Sequence, residues 1–335
     1  MISSYSSRCR NDNFLEVQKQ LKEKKHDNTS FLFSSFHCSL SKGASAADVA
    51  TTQLPAKWDA ETDVLVAGSG IAGMSAAISA LDKGAKVLVM EKGKNYGGCA
   101  IINGGIIALG GGTRTQKEHG VEDSPEKLYK KLTNPAHHEY RKNTPELVKK
   151  YSEWCPGTQV WLEEHGVKFL PTFTRPGKYD SQHHESYHHI WWKDSGEGGR
   201  KPQPTGGFMT GRGIMMPYYE YFTGKGGQIF LEHKVVDVYV NDQGAVVGAK
   251  VQKPDGSIMN VKANKGVVLA GGSWKANPEL RRLTDPRFTE NMISTGYPFV
   301  APDGSAILAG MRAGGMYVGD RCEDTPHLRR KFGTA

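Results

Sequence analysis

Three glycines and one acid form the group of residues whose spacing most clearly indicates chemistry. Gly68, Gly70 and Gly73 follow the pattern G-x-G-x-x-G, and Glu91 comes later in the chain. This arrangement is typical of a dinucleotide site. In such a site Gly68 allows a tight turn, Gly70 lets the backbone approach a pyrophosphate without a Cβ, and Gly73 lets a helix pack closely on a strand. A carboxylate at Glu91 can accept hydrogen bonds from both hydroxyls of an adenosine ribose.

The elements that must position these residues can be predicted from the surrounding sequence. Asp63–Ala67 and Lys86–Met90 are short apolar runs of the kind that form buried strands. Between them the apolar spacing predicts a helix over Ile71–Lys83. The N–H groups of Ile71 and Ala72 would then lie at a helix N-terminus, which favours a phosphate. The glycine pattern alone is weak evidence in a chain with 40 glycines, but the order strand, turn, helix, strand and acid makes it specific.

A second glycine-rich stretch indicates which dinucleotide is bound. Residues 95–106 read NYGGCAIINGGI and follow Glu91-Lys92. Together they resemble the "EK…GG(N/T)(S/T)…GG" stretch of the fumarate reductase and 3-ketosteroid dehydrogenase group of FAD flavoproteins. The resemblance implies FAD as the cofactor, with this loop beside the flavin ring and the ribityl chain. Cys99 and Ala100 replace the family's polar residues, so backbone contacts are expected there. The resemblance assigns to the cofactor site Lys92, Gly97, Gly98, Cys99, Ala100, Asn103, Gly104 and Gly105.

Three later stretches continue the resemblance in the family's order. Strands are predicted over Val235–Val240, Ala245–Lys253 and Ile258–Val261, which would form an antiparallel β-meander. The apolar run Lys265–Gly272 is predicted to be a separate parallel strand that ends in an A-G-G turn. A Pro-Asp-Gly turn follows later. In the family, a backbone position of the meander holds the adenine, and both turns pack against the dinucleotide. The further site residues are therefore Val235, Ala270, Gly271, Gly272, Asp303 and Gly304.

The fold expected from these elements is α/β, a Rossmann-like FAD-binding domain with a central parallel sheet, an antiparallel β-meander and a helical insertion. The insertion is expected at about residues 113–213. Ser124-Pro125-Glu126 and Thr144-Pro145-Glu146 are typical helix starts within it. Pro156-Gly157 is expected to break or kink the second helix. A further helix is predicted over Ile214–Phe222.

The end of the insertion contains a loop rich in histidine and tryptophan. Residues 182–192 read QHHESYHHIWW, in which His183 and His188 have near-helical spacing beside Glu185. A metal site would need a pattern such as H-E-x-x-H or a cysteine partner, and neither is present. We therefore predict no metal site and interpret the stretch as a loop that packs over the flavin domain. Thr205-Gly206-Gly207 resembles the family's "RPTGG" turn and is a candidate for the pocket wall.

Residues 1–57 differ from the FAD-binding domain predicted over residues 58–335. They are rich in serine and lysine without a sustained apolar period, which predicts a disordered leader or targeting extension. Lys22–Lys25, the partly apolar Phe31–Leu40 and Ala44-Ser45-Ala46 weakly imitate the charged, apolar and cleavage regions of a signal. A cytoplasmic and an exported location both stay open.

Composition excludes several classes of function. The net charge is +8, but the basic residues are scattered and no nucleic-acid motif accompanies them, so a solvated basic surface is expected. The mean hydropathy is -0.51, and no apolar run approaches the length of a membrane span. The five cysteines are odd in number and lack a C-x-x-C pair, which argues against a disulfide framework, an iron–sulfur cluster or covalent haem.

The resemblance also implies a reaction. Members of the group transfer a hydride between flavin N5 and a C–C or C=C bond next to a carbonyl or carboxylate, so the expected substrate is a small enoate or enone. The family's substrate cap follows the turn at Asp303, and this chain has no counterpart of it. No catalytic residue is therefore assigned, and an electron-donor protein or a C-terminal subunit would be a partner. Two alternatives stay open: a non-catalytic flavin-binding fragment or subunit, and a nicotinamide dehydrogenase, which the Gly97-Gly98 loop disfavours.

Overall fold

The structure of the chain is a computed structural model that describes residues 52–134, 145–174, 186–190, 211–284, 292–294, 296–297, 300–316 and 328–330. Nearly all of the predicted leader lies outside these residues, as do His183, Glu185 and Thr205-Gly206-Gly207. The strands are β1 Ala60–Ala67, β2 Val87–Met90, β3 Ile106–Leu109, β4 Phe169–Thr174, β5 Ser186–Ile190, β6 Gln228–Phe230, β7 Lys234–Val240, β8 Val246–Gln252, β9 Ile258–Leu269, β10 Met292–Ser294 and β11 Leu328–Arg330. The helices are α1 Ile71–Asp82, α2 Gly98–Ile101, α3 Arg114–Glu118, α4 Pro125–Leu132, α5 Pro145–Glu164, α6 Arg212–Gly224, α7 Pro278–Thr284 and α8 Ser305–Arg312.

A mixed sheet of six strands organises the fold, in the order β6-β2-β1-β9-β8-β7. Strands β6, β2, β1 and β9 are parallel neighbours in that order, and β9, β8 and β7 are antiparallel neighbours. The meander and the parallel strands therefore form one continuous sheet. This architecture confirms the α/β fold class predicted from the sequence.

Strand β9 corrects one prediction. The third meander strand and the strand that leads to the A-G-G turn are a single strand of 12 residues. Opposite it, the pairs Thr62 with Ala263 and Val64 with Gly266 show one extra residue in β9, which is a bulge. The polar residues near Gly266 thus mark a bulge within a strand and not a turn between two strands.

The parallel strands are apolar on both faces because both faces are covered. Val64, Val66 and Val89 face a core formed with α1 and α6. Leu65 and Leu88 face a second core, which they share with β7 and β8. Burial of each such side chain stabilises the fold by about 1.5 to 3 kcal/mol, so the sheet edge above these cores is a rigid support for a site.

The insertion before α6 is only partly helical. Strand β3 pairs with β5, and β5 pairs with β4, in a separate antiparallel sheet. Ser124 caps α4 as predicted, with Pro125 in the first turn. Helix α5 runs through Pro156 without a break, so of the predicted break or kink at Pro156-Gly157 the break is wrong. Its buried face, which includes Val148, Cys155 and Leu162, holds the two halves in one helix despite the missing proline N–H.

Helix α1 matches its prediction closely. It begins at Ile71 and ends at Asp82, and Gly84 follows in a left-handed conformation with φ +79°. Its buried face comprises Met74, Ala77 and Ile78. Within the described ranges, no helix combines the length and apolar character that a bilayer span requires.

Candidate cofactor site

A cavity of about 1310 Å³ opens at the carboxyl ends of β1, β2 and β9. Ligands of open α/β sheets bind at this edge, where the loops after parallel strands meet. The cavity brings together most of the site residues predicted from the sequence. Its walls include Gly68, Gly70, Ile71, Ala72, Glu91, Lys92, Gly98, Cys99, Ala100, Val235, Ala270, Gly271 and Gly272.

The N-terminus of α1 faces this cavity without a side-chain cap. Gly70 is the N-cap residue, no side chain there accepts a capping hydrogen bond, and the first turn contains no acid. A Cβ built on Gly70 meets nothing within 4 Å, while a Cβ on Gly98 would lie 3.4 Å from the Gly70 Cα. Two glycines therefore face each other across the helix N-terminus. The first N–H groups of α1 are left for an anionic group in the cavity.

Gly68 and Gly73 serve the packing of the turn. Gly68 has φ +101°, and a Cβ there would lie 2.4 Å from the Ala270 carbonyl oxygen. A Cβ on Gly73 would lie 1.9 Å from the Gly68 carbonyl oxygen, closer than any real contact. Gly73 does not line the cavity. It brings α1 close to β1, which is the role that the sequence predicts for it.

The Glu91 carboxylate is largely satisfied within the protein. Its Oε2 accepts hydrogen bonds from the Ser69 N–H at 2.9 Å and the Ser69 hydroxyl at 2.6 Å, and its Oε1 accepts one from the Gly93 N–H at 2.7 Å. The Ser69 hydroxyl in turn accepts from the Gly97 N–H at 3.1 Å. A carboxylate offers about four acceptor positions, so three are in use. This geometry leaves room for one ribose hydroxyl at Glu91, whereas the sequence predicts two.

Asp303 lies behind the cavity wall and holds two lysines that line it. Its carboxylate oxygens lie 3.1 Å from Lys92 Nζ and 2.9 Å from Lys234 Nζ, and the Ser305 N–H donates to it at 3.1 Å. Lys92 also donates to the Ala301 carbonyl oxygen. Burial acts to raise the pKa of Asp303, but these cations and donors outweigh it and hold the pKa far below its ordinary value. By pairing with Lys92 and Lys234, Asp303 holds two positively charged side chains in the cavity wall.

The α2 turn is held by Asn103. Its side chain donates to the Ala100 carbonyl oxygen at 2.7 Å and accepts from the Gly105 N–H, and its own carbonyl accepts from the Gly211 N–H at 3.1 Å. These bonds fix the shape of the loop that lines the cavity. The predicted site residues that do not line the cavity are Gly73, Gly97, Asn103, Gly104, Gly105, Asp303 and Gly304.

One wall of the cavity was not expected from the sequence. Arg212, Met216 and Glu220 line it from α6. Tyr96 lies against the same helix, stacked on Tyr219 at 4.2 Å between ring centroids, with its hydroxyl 2.7 Å from the Met216 sulfur. The spacing of four residues along α6 places the side chains of Arg212, Met216 and Glu220 on one face of the helix. It was missed because nothing in the local sequence shows which face of a helix meets a cavity.

His188 takes part in the core and not in the cavity. It is 1% exposed, and its Nε2 lies 3.0 Å from the Thr113 hydroxyl. Among the residues that the structure describes, no three His, Cys, Asp or Glu side chains are grouped as metal ligands. Arg312 lies outside the cavity, where it donates to Asp237 at 3.2 Å and to the Val236 carbonyl oxygen at 2.7 Å.

Comparison with known proteins identifies the family of this cavity. The model of the family described as "FAD binding domain" matches residues 63–328. The acrylate reductase flavoprotein subunit of Shewanella woodyi is 29% identical over 256 residues, which are 74% of this chain and 46% of that protein. The fumarate reductase (cytochrome) of Shewanella frigidimarina is 30% identical over 243 residues, 72% of this chain and 38% of that protein. The chain thus spans less than half the length of these two relatives.

A solved structure shows the same fold. The 3-ketosteroid-Δ4-(5α)-dehydrogenase of Rhodococcus jostii RHA1, in complex with 4-androstene-3,17-dione, superposes with a TM-score of 0.67 at 28% identity. The match covers 79% of this chain and 56% of that one. The uncapped α1 N-terminus, the paired glycines and the cavity of about 1310 Å³ fit a dinucleotide with a pyrophosphate at its middle. The chain therefore belongs to the FAD-binding domain family of the fumarate reductases and 3-ketosteroid dehydrogenases, and FAD is its cofactor.

Proposed function

We propose that this protein is an FAD-dependent oxidoreductase that acts on a C–C or C=C bond next to a carbonyl or carboxylate of a small enoate or enone. The observation that carries the proposal is the cavity, whose glycine-lined helix N-terminus fits the cofactor of a family of such enzymes. When bound, FAD supplies a ring that can give or accept a hydride. The residues of this chain bind it and orient it.

Each part of the cavity has its own task in this proposal. The N–H groups of Ile71 and Ala72 hold the pyrophosphate, since they lie at the N-terminus of α1, which has no side-chain cap. Glu91 and Lys92 bind the adenosine ribose, with Val235 beside them in the wall. The α2 turn, from Gly98 to Ile101, borders the flavin half. Apolar side chains there, such as Ile102 and Val300, exclude water from the ring.

The substrate and the source of electrons are part of the proposal as well. The named relatives reduce acrylate and fumarate or bind a steroid enone, so these three ligand types are the probes to use. No described residue is assigned as the catalytic acid. Arg312, the arginine of α8, is engaged with Asp237 outside the cavity. An electron-donor protein or a further subunit would complete the reaction.

The test begins with the absorption spectrum of the purified, desalted protein and the release of its chromophore by denaturation. Flavin bands and released FAD are expected. The reduced protein is then mixed anaerobically with fumarate, acrylate or 4-androstene-3,17-dione, and the return of the blue absorption band is followed. Reoxidation by one of them supports the proposal, and succinate serves as a saturated control for fumarate. A flavin-loaded protein that none of them reoxidises would instead support a flavin-binding unit without turnover.

A further inference from the structure

Helix α5 has a second apolar face besides the one that packs in the core. The side chains that it buries lie on one side of the helix and are Val148, Ser152, Cys155, Gln159 and Leu162. Leu147, Tyr151 and Trp154 are instead 66%, 40% and 48% exposed. Their spacing of four and then three residues places these three side chains together on another side of α5. We call Leu147, Tyr151 and Trp154 the α5 stripe.

The α5 stripe has the composition of a protein interface. Single exposed apolar residues are ordinary, but adjacent ones on one face indicate a surface that binds another protein. Tyrosine and tryptophan are also the residue types that contribute most to the affinity of such interfaces. The stripe does not line the cofactor cavity. An inference about it is therefore independent of the proposed function.

The two aromatic side chains of the stripe are held in place within the chain. The Tyr151 hydroxyl donates to the Ala108 carbonyl oxygen of β3 at 2.8 Å. Lys150 Nζ lies 5.8 Å from the centroid of the Trp154 ring and 3.3 Å from the Glu153 carboxylate. Side chains that are already ordered lose less conformational freedom on association, so binding through them costs less free energy.

The charges beside the stripe indicate which partner fits it. Lys150 and Glu153 are opposite charges three residues apart, and both side chains are exposed. A parallel pair of α5 helices would bring each charge level with its own copy, which is repulsive. In an antiparallel pair centred between Tyr151 and Trp154, Tyr151 of one copy faces Trp154 of the other. Lys150 of one copy then lies within about 3 Å, measured along the helix axis, of the level of Glu153 in the other.

From this self-complementary pattern we infer that the α5 stripe binds a second copy of this chain, with the two α5 helices antiparallel. The two-fold symmetry of such a dimer forms every contact twice, including the pair of Lys150 with Glu153. The face of a helix of 20 residues measures about 30 Å by 10 Å, so the two copies together bury roughly 600 Å². Permanent dimers bury at least about 1,200 Å², so the dimer is weak and depends on concentration.

The experiment measures the mass of the full chain by sedimentation velocity from about 1 to 500 µM, a range that covers weak dimers. Trp154→Glu places a charge in the stripe. Val160→Glu is the matched control, because Val160 is 47% exposed on the same helix but points about 120° away from Trp154. Circular dichroism and FAD content confirm that each variant is folded.

We expect the wild type to dimerise with a Kd of about 10 to 300 µM, and Trp154→Glu to weaken the dimer at least about 10-fold. Val160→Glu should stay within about twofold of the wild type, as expected of a residue outside the interface. A wild type that is monomeric over the whole range would overturn the inference. Equal dimerisation of the wild type and Trp154→Glu would overturn it too, because the contact would then lie on another surface.

Charge reversal tests the antiparallel pairing directly. Lys150→Glu alone and Glu153→Lys alone each place like charges opposite one another, and we expect each to weaken the dimer about 3- to 10-fold. A mixture of these two variants restores opposite charges across the interface, so it should associate more strongly than either variant alone. Equal association of the mixture and its components would overturn the inference, because Lys150 and Glu153 would then not meet between copies.

Discussion

The two ends of α1 are built in opposite ways. At its N-terminus, Gly70 provides no cap and the first N–H groups face the cavity. At its C-terminus, Asp82 accepts hydrogen bonds from His165 at 2.9 Å, the Tyr221 hydroxyl at 2.7 Å and Lys225 at 3.1 Å. The N-terminal end leaves backbone N–H groups available to a ligand, whereas at the C-terminal end the Asp82 carboxylate is hydrogen-bonded within the protein. The N-terminal end of α1 is thus available for ligand binding, and its C-terminal end contributes to the stability of the fold.

The residues around Asp82 offset an unfavourable interaction between its carboxylate and the C-terminus of α1. A carboxylate at the negative end of a helix is disfavoured by the dipole, so Asp82 needs donors around it. His165 is 5% exposed, stacks on Trp161 at 4.1 Å and places its Nδ1 2.6 Å from the Trp161 carbonyl oxygen. The two ring nitrogens of His165 thus face two oxygen atoms, one of Asp82 and one of Trp161. At the C-terminus of α1 the protein itself compensates the unfavourable charge.

The strongest test of this comparison is Gly73→Ala. The new Cβ would lie 1.9 Å from the Gly68 carbonyl oxygen, so α1 must move away from β1. We expect a loss of about 3 kcal/mol in the free energy of unfolding, measured by chemical denaturation. Gly157→Ala is the control, because a Cβ there meets nothing within 4 Å in α5 and should stabilise the helix slightly. Equal denaturation midpoints for Gly73→Ala and the wild type would contradict the packing argument.

The same substitution three residues earlier should act on the ligand alone. In Gly70→Ala the Cβ enters the open cavity, and the backbone angles φ -68° and ψ 179° suit alanine. We expect FAD affinity to fall about 10-fold, or about 1.4 kcal/mol, while the apo-protein is as stable as the wild type or slightly more so. FAD titration and denaturation of the apo-protein measure the two effects. A destabilised variant that still binds FAD normally would reverse the roles assigned to the two glycines.

At the opposite end of α1, Asp82→Asn should lower stability and leave the ligand unaffected. The neutral amide keeps its size but loses the charge that His165 and Lys225 face, and the side chain is only 27% exposed. The expected loss is about 1 to 2 kcal/mol, since the bonds to Asp82 are charge-assisted but partly solvated. Denaturation with and without FAD measures it. Asp242→Asn, in an exposed turn, is the control. Weaker FAD binding in Asp82→Asn would show that the two ends of α1 are coupled.

The smallest effect is the pH dependence of this Asp82 contribution. Partial burial acts to raise the pKa of Asp82, but the hydrogen bonds from His165, Tyr221 and Lys225 outweigh it and lower the pKa. The unfolded state therefore takes up the proton first as the pH falls. The stability difference between the wild type and Asp82→Asn should be constant near pH 5 and shrink as the pH falls through about 3.9 and below. Asp303 is present in both proteins and cancels in the difference. A difference that grows in acid would contradict the assignment.

The region from β1 to β2 could be predicted because its information is local. The turn at Gly68, the helix from Ile71 and the strand ending at Met90 lie within one short segment, and each has a signal in its own residues. The same holds for Ser124 as the cap of α4. Local propensities and glycine positions are sufficient for such elements, because few distant partners compete with them.

The incorrect and missed features depend on distant partners. The break predicted at Pro156 does not occur, because the buried face of α5 outweighs the lost hydrogen bond. Strand β9 continues past its polar residues because β1 pairs with it along its length through a bulge. The role of Asp303 as a partner of Lys92 and Lys234 joins three separated segments. No window of sequence contains these pairings.

The sequence by itself determined the fold class and the dinucleotide turn, because glycine spacing and apolar runs act over short distances. Its resemblance to a known family implied FAD as the cofactor. Only the tertiary structure decided which of the predicted residues face the cavity and which pack behind it. In the tertiary structure Gly70 lies at the cavity and Gly73 packs on β1. Three acceptor positions of Glu91 take hydrogen bonds from within the protein, and Arg212 lies in the cavity wall. The physical reason is that the direction of a side chain follows from the packing of elements far apart in the chain.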